Sequence, residues 1–194
     1  MITLTSAMFS EGVVNVDGVR IRYVEAGAGP PVVYVHRGNG VHLSRAHELL
    51  AESNRVIAID VPDVGPSVMR VAEQLGLERF NLWGGAAALW TAIAAPDRIT
   101  ALVLEAPEGI DESEPHLAEV NVPTLVIFGT RDRLTPPELG RVYRERMPNC
   151  QFVLLYDAGH EAASDRPEAF ASLVGDFLER RARLGRPRTS PRRS

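Results

Sequence analysis

The stretch that most constrains the fold runs from Phe80 to Ala92. Its first residues are apolar or β-favouring, and they predict a short strand that ends at two glycines, Gly84 and Gly85. Glycine permits backbone angles that a side chain forbids, and a run of strong helix formers follows and ends near Pro96. A strand, a sharp turn and a helix in this order form the geometry that holds a nucleophilic side chain at the end of a sheet.

The tip of such a turn requires serine, cysteine or aspartate, and the candidates in this chain are Gly85, Ala86 and Ala87. None of the three carries a nucleophilic atom. The sequence therefore predicts the scaffold of covalent catalysis without its nucleophile. The three residues are expected to line a cleft in which the amide groups of a helix start face an anion or a carbonyl group.

Strands and helices alternate along the rest of the chain. Asp17 and Gly18 join two alternating segments at residues 12–16 and 19–25, which is a strong hairpin signal. Further strands are predicted at residues 31–35, 55–60, 80–83, 99–105, 123–128 and 151–156. Helices are predicted at residues 43–53, 68–75 (with Ser67 as its cap), 86–95, 136–147 and from 167 onward. This order predicts an α/β fold with a mostly parallel sheet, an antiparallel N-terminal hairpin, helices on both faces and no lid domain.

The 194 residues suit one domain over residues 1–180, followed by a basic tail at 181–194 that is expected to be disordered. All 21 basic residues are arginine, and seven of them lie in the last fifteen residues. Residues 1–179 therefore carry a net charge of −11, which argues against nucleic-acid binding by the domain. The tail either contacts an acidic partner or is a solvated terminus, and the second interpretation is preferred.

The sequence also bears on membrane association, cofactor binding and cellular location. No apolar run approaches the roughly 20 residues that span a bilayer, and the start lacks a signal-peptide pattern, so we expect no membrane association. Cys150 is the only cysteine, which fits a cytoplasmic location. No zinc-type spacing, dinucleotide glycine motif or phosphate-loop lysine is present, so we expect neither a metal nor an organic cofactor.

Two polar residues follow the last predicted strands at the edge where parallel sheets bind ligands. Asp132 ends a Gly-x-x-Asp turn, and His160 follows Ala158 and Gly159. A carboxylate can hold the imidazole tautomer while the imidazole, which titrates near neutral pH, acts as a base. Helix capping by Asp132 and a structural role for His160 are the alternatives.

A polar glycine loop follows the strand at residues 31–35. His36, Arg37 and Gly38 begin it, and its N–H groups can stabilise an oxyanion; a plain strand-to-helix turn explains the loop equally well. His42 and His47 are expected on a helix surface.

Together these pieces resemble the α/β-hydrolases, in particular the cofactor-free esterases and carbon–carbon-bond hydrolases, over roughly residues 12–180. The matching segments are residues 33–36, 55–60, 75–84, 95–99, 122–126, 129–132 and 158–160. The family order of nucleophile, acid and histidine implies that Asp132 is the acid and His160 the base. The resemblance also implies an oxyanion loop at His36, Arg37 and Gly38.

The resemblance fails at the turn, where the family has Gly-x-Ser-x-Gly. Either Ala86 replaces the serine, or a few residues are deleted and Gly84 and Gly85 close the gap. Segments near residue 67 and between 107 and 122 are also short, where relatives often insert a lid.

Three functions are compatible with this pattern. The preferred hypothesis is a weak hydrolase of ester or related carbonyl substrates that uses a His160–Asp132 dyad without serine. The others are a non-catalytic protein that binds a small ester or carbonyl ligand, and a shortened relative with no selected activity.

Overall fold

The structure, a computed structural model, describes residues 8–36, 41–60 and 66–184. Its centre is one sheet with the strand order β1-β2-β4-β3-β5-β6-β7-β8. The strands are β1 (Ser10–Val16), β2 (Val19–Ala26), β3 (Pro31–His36), β4 (Arg55–Asp60), β5 (Phe80–Gly84), β6 (Ile99–Glu105), β7 (Thr124–Gly129) and β8 (Cys150–Leu155). Strand β2 pairs antiparallel with β1 and β4, and β3 to β8 pair in parallel, so the predicted sheet is confirmed.

Seven α-helices cover the sheet in the described part of the chain. They are α1 (Arg45–Ala51), α2 (Pro66–Gln74), α3 (Ala86–Ala94), α4 (Ile110–Ser113), α5 (Gly140–Arg146), α6 (Ala162–Asp165) and α7 (Pro167–Leu184). Short 3-10 helices lie at Pro96–Arg98, Glu114–Glu119 and Pro137–Leu139. None of these helices is both long and apolar enough to cross a membrane.

Each face of the sheet has its own buried core. On one face, residues of α2, α3 and α5 such as Val71, Leu89 and Tyr143 pack against the strands. On the other face, α1 and α7 contribute Leu50 and Phe177. Burial of each such side chain contributes about 1.5–3 kcal/mol, which is why nearly continuous apolar strands alternate with amphipathic helices in this sequence.

Local details differ from the sequence-based expectation at two helix ends. Helix α2 begins at Pro66, so Ser67 lies inside the helix and the prediction that it caps the helix is wrong. Proline fits the first turn because its missing N–H would have no partner there. Helix α7 continues to Leu184, four residues beyond the boundary expected at residue 180. Residues 185–194, which hold most of the predicted tail, lie outside the described residues.

The connection between β6 and β7 is compact. It contains α4 and the 3-10 helix Glu114–Glu119. The carboxyl edge of the sheet is therefore not covered by a separate lid in this segment.

Candidate active site

A cleft of about 260 Å³ opens at the carboxyl edge of the sheet, where α/β proteins bind ligands. The ends of β3, β5 and β6 form its floor, and the start of α3 and the segment after β8 form its walls. The charged or polar side chains in its lining are Tyr34, His42, His47, Glu105, Glu108, His160, Glu161 and Ser164. No trio of His, Cys, Asp or Glu side chains within the described ranges is arranged to hold a metal ion.

His160 and Asp132 lie side by side at one end of this cleft. Nδ1 of His160 is 3.0 Å from Oδ2 of Asp132. The other carboxylate oxygen, Oδ1, accepts the backbone N–H groups of Leu134 and Thr135 at 2.9 and 3.0 Å. The buried carboxylate of Asp132 therefore has a fixed orientation, and it holds the His160 ring with Nε2 on the opposite side.

A glycine at the end of β7 allows the two loops that carry this pair to meet. A Cβ atom on Gly129 would lie 2.2 Å from the carbonyl oxygens of both Ala158 and Gly159, so no other residue fits without backbone movement. The backbone N–H of Arg131 donates to the Ala158 carbonyl at 2.8 Å, and the Thr130 hydroxyl accepts the N–H of Asp157 at 3.0 Å. The Gly-x-x-Asp and Ala-Gly-His signals in the sequence thus belong to one interlocked unit.

The junction between β5 and α3 has a different character. Strand β5 ends at Gly84 and α3 begins at Ala86, so only Gly85 separates them. A Cβ atom on Gly84 would lie 2.4 Å from the Val35 carbonyl oxygen. Ala86 and Ala87 lie in the first turn of α3, and N–H groups at this position lack intrahelical acceptors. The cleft wall here offers amide groups and methyl groups but no nucleophilic atom.

His160 faces a carboxylate where a hydrolase histidine would face serine. Its Nε2 lies 3.7 Å from Oε1 of Glu108, an exposed side chain on the loop after β6. Among the described residues, no serine or threonine hydroxyl is hydrogen-bonded to His160. Ser164 lines the same cleft from α6, where it is exposed.

The predicted oxyanion loop lies at the limit of the described residues. His36 ends β3 and pairs with Asp60 of β4, but only its backbone is described. Arg37 and Gly38 lie outside the described residues.

Glu105 is a site residue that sequence reasoning missed. It ends β6 with its side chain in the cleft, where Oε1 accepts the backbone N–H of Ala163 at 2.7 Å and Oε2 accepts the indole N–H of Trp83 at 3.0 Å. Burial raises the pKa of Glu105 to about 7, although both hydrogen bonds oppose this shift. The sequence did contain a signal for this residue, because Glu105 ends a largely apolar strand at the edge of the sheet where ligands are expected to bind.

A group of rings lies beneath Glu105. His47 stacks on Trp83 with ring centroids 4.3 Å apart, and Tyr34 and Phe170 contact the same indole at 4.5 and 5.1 Å. The expectation that His47 lies on a helix surface is wrong, because it is 2% exposed and faces the sheet from α1. Burial is the main cause that raises the pKa of Tyr34, and the nearby Glu105 and Glu161 carboxylates add to it. His42 lines the cleft just before α1.

Comparison with known proteins gives one family match and several relatives. A family model described as TAP-like protein matches residues 105–186. A pimeloyl-[acyl-carrier protein] methyl ester esterase of Neisseria meningitidis serogroup B is 36% identical over 63 residues, which are 32% of this chain and 24% of that enzyme. This chain therefore matches the first relatives over only about a quarter of their length.

Two further comparisons span nearly the whole chain. A 2-hydroxy-6-oxo-6-(2'-aminophenyl)hexa-2,4-dienoic acid hydrolase of Metapseudomonas resinovorans is 22% identical over 276 aligned positions, covering 94% of this chain and 95% of that enzyme. Since this chain has 194 residues, at least 82 of those positions have no counterpart in it. A solved structure of a CIB-like hydrolase from Thermoplasma acidophilum superimposes with a TM-score of 0.76 at 17% identity, covering 89% of this chain and 98% of that one.

Proposed function

We propose that the chain, which has the α/β-hydrolase fold and is similar to named hydrolases, is a weak hydrolase of ester or related carbonyl substrates. In this proposal His160 and Asp132 act without a serine nucleophile. The observation that carries it is the 3.0 Å contact between the His160 imidazole and the buried Asp132 carboxylate at the edge of a cleft. One relative is named as a methyl ester esterase and another as a hydrolase of a 2-hydroxy-6-oxo dienoic acid, which supports the substrate class.

The proposed reaction uses water as the nucleophile. Nε2 of His160 accepts a proton from a water molecule as its oxygen attacks the carbonyl carbon, and Asp132 stabilises the imidazolium that forms. The N–H groups at the start of α3 stabilise the negative oxygen of the tetrahedral intermediate. The carbon–oxygen bond to the leaving alcohol then breaks, and the imidazolium returns its proton to the alkoxide.

The expected rate is low for a physical reason. In a serine hydrolase, loss of the nucleophile lowers kcat about 10⁶-fold and leaves roughly 10³–10⁴ of acceleration over water. That loss corresponds to about 8 kcal/mol of barrier. The open cleft also admits water, which weakens electrostatic stabilisation of the intermediate.

Turnover of short activated esters tests the proposal. His160→Ala and Asp132→Ala should each reduce the rate to the background of the buffer. His116→Ala is the matched control, because His116 lies outside this cleft, on a 3-10 helix, edge-on to Trp90. Equal rates for wild type and His160→Ala would exclude the proposed dyad.

A fluorophosphonate probe, which labels activated serine, separates water from a serine nucleophile. The proposal requires that the wild-type protein is not labelled. Labelling that disappears in Ser164→Ala would show instead that Ser164 is the nucleophile.

A non-catalytic ligand-binding role is the second candidate, favoured by the absence of a nucleophilic atom at the described junction of β5 and α3. A thermal-shift screen of small esters and carboxylates should then find a stabilising ligand. The effect should disappear in Ala86→Trp, which fills the cleft, while ester turnover stays at background in the wild type.

A further inference from the structure

We propose that Glu105 is a positioning residue that holds the His160 segment in register with Asp132. The inference rests on the proposed function and extends it to a residue that takes no part in the relay between His160 and Asp132. It starts from the placement of Glu105 at the end of β6, between the strand that leads into α3 and the segment that carries His160.

The two oxygens of Glu105 connect separate parts of the site. Oε1 accepts the N–H of Ala163, the third residue after His160, at 2.7 Å. Oε2 accepts the indole N–H of Trp83, which is fully buried in β5 and wedged among aromatic rings. The carboxylate therefore links the loop after β8 and the four-residue helix α6 to the buried centre of the sheet.

Polar contacts attach both ends of the segment that carries His160, and Ala162 and Ala163 also pack into the core with residues of α1 and α7. Its own Asp165 accepts the N–H of Gly159 at 2.6 Å, which closes the turn internally. Ala158 accepts the N–H of Arg131, which attaches the start of the segment to β7. Glu105 attaches its far end to β5 and β6, so the His160 ring is held between two anchors.

The carboxylate suits this role because each of its oxygens accepts one N–H group. Glutamine avoids the cost of burying a negative charge, but it has one acceptor oxygen, so its NH2 group would face either the Ala163 or the Trp83 donor. The titratable groups that act on it are Glu161 and His160 after β8 and Tyr34 on β3, and His47 on α1 stacks on the Trp83 indole that donates to it. As the pH rises, the ionised carboxylate becomes a stronger acceptor for Ala163, because charged acceptors form the stronger hydrogen bonds.

Kinetics of Glu105 variants test this role. Glu105→Ala should lower kcat about 10- to 100-fold with KM within about twofold, because misplacement of the base affects the reaction rather than binding. Glu105→Gln keeps one of the two acceptors and should recover part of kcat, while its pH profile loses one ionisation. An unchanged kcat in Glu105→Ala, or a change confined to KM, would overturn the inference.

A second measurement does not depend on activity. In an amide NMR titration of the full chain, the Ala163 N–H should shift with a midpoint near pH 7 in wild type and stay constant in Glu105→Gln. A constant Ala163 signal in wild type would also overturn the inference. If His160→Ala and wild type hydrolyse esters equally, the proposed function fails, and this titration still decides whether Glu105 holds the His160 segment.

Discussion

The loops after β7 and β8 and the junction of β5 with α3 are two parts of one cleft, and they differ sharply. The first part contains an acid–histidine pair, Asp132 and His160, whose loops are joined by backbone hydrogen bonds. Gly129 lets these two loops approach closely, because a side chain there would clash with the backbone after β8. In the second part a single residue, Gly85, connects strand to helix. One half of the cleft thus carries a fixed pair of polar side chains, whereas the other half offers backbone and methyl groups.

Different interactions fix most of each half, and Glu105 connects the two. The β7–β8 loops are stabilised by contacts with each other, such as the Arg131 side chain on the Asp157 carbonyl at 3.0 Å and on the Asp157 carboxylate at 2.8 Å. The β5–α3 junction is stabilised by the sheet and by helix packing on both sides of Gly85. We therefore expect a change in the length of the junction to leave the acid–histidine pair in place.

The largest expected effect concerns the loops after β7 and β8, which meet at Gly129. Gly129→Ala should lower the free energy of unfolding by about 2–4 kcal/mol, because its new Cβ meets two backbone carbonyl oxygens at 2.2 Å. Gly175→Ala in α7 is the control, since no atom lies within 4 Å of its added Cβ, and it should gain about 0.5–1 kcal/mol. Urea unfolding measures both; equal stabilities would show that the two loops do not meet closely.

An intermediate effect concerns Glu105, which lies between the two halves. Its folded-state pKa is raised from 4.5 to about 7, so its contribution to stability is complete below about pH 4.5 and is lost as the pH rises through about 7. Glu105→Gln does not titrate. The free energy of unfolding of Glu105→Gln minus that of wild type should therefore increase by about 2 kcal/mol between pH 5 and pH 8. This figure is reduced to allow for the partial exposure of Glu105 to solvent.

Thermal or urea unfolding at both pH values measures this difference. A relative stability that stays constant with pH would mean that the fold does not disfavour the Glu105 carboxylate.

The smallest expected effect concerns the junction of β5 and α3. Ala86→Ser should change stability by less than about 0.5 kcal/mol and should not produce labelling by a fluorophosphonate, because residue 86 is the first residue of α3. Gly85→Ser provides the comparison, since its added Cβ meets only the Glu105 carbonyl oxygen, at 3.5 Å. Labelling of Ala86→Ser would mean that alanine replaced serine in an intact turn.

Sequence reasoning reached the fold because the strands are short apolar runs punctuated by glycine, proline and Asp-Gly. The hydrophobic pattern within each segment is sufficient to predict such strands. The strands Arg55–Asp60 and Ile99–Glu105, for example, have the predicted bounds. It also proposed His160 and Asp132, since both follow strands at the ligand-binding edge. Ser67 was misplaced because proline at residue 66 starts the helix earlier than its apolar pattern does.

Glu105 and His47 were missed for a different reason. Their environments arise from contacts between residues far apart in the sequence, such as Glu105 with Ala163 and His47 with Trp83. No local pattern encodes such contacts. The same holds for the turn at Gly84 and Gly85. Replacement of serine by Ala86 and deletion of a few residues differ in the path of the backbone, which the amino-acid sequence alone does not specify.

The indole N–H bond of Trp83 to Glu105 has a practical consequence. One of the two tryptophans in the chain is thereby in direct contact with a group that gains and loses charge near neutral pH. We therefore expect the fluorescence emission of Trp83 to change as Glu105 ionises. Replacing Trp90 by phenylalanine would leave Trp83 as the single tryptophan, so that the wavelength and intensity of its emission should follow the protonation of Glu105.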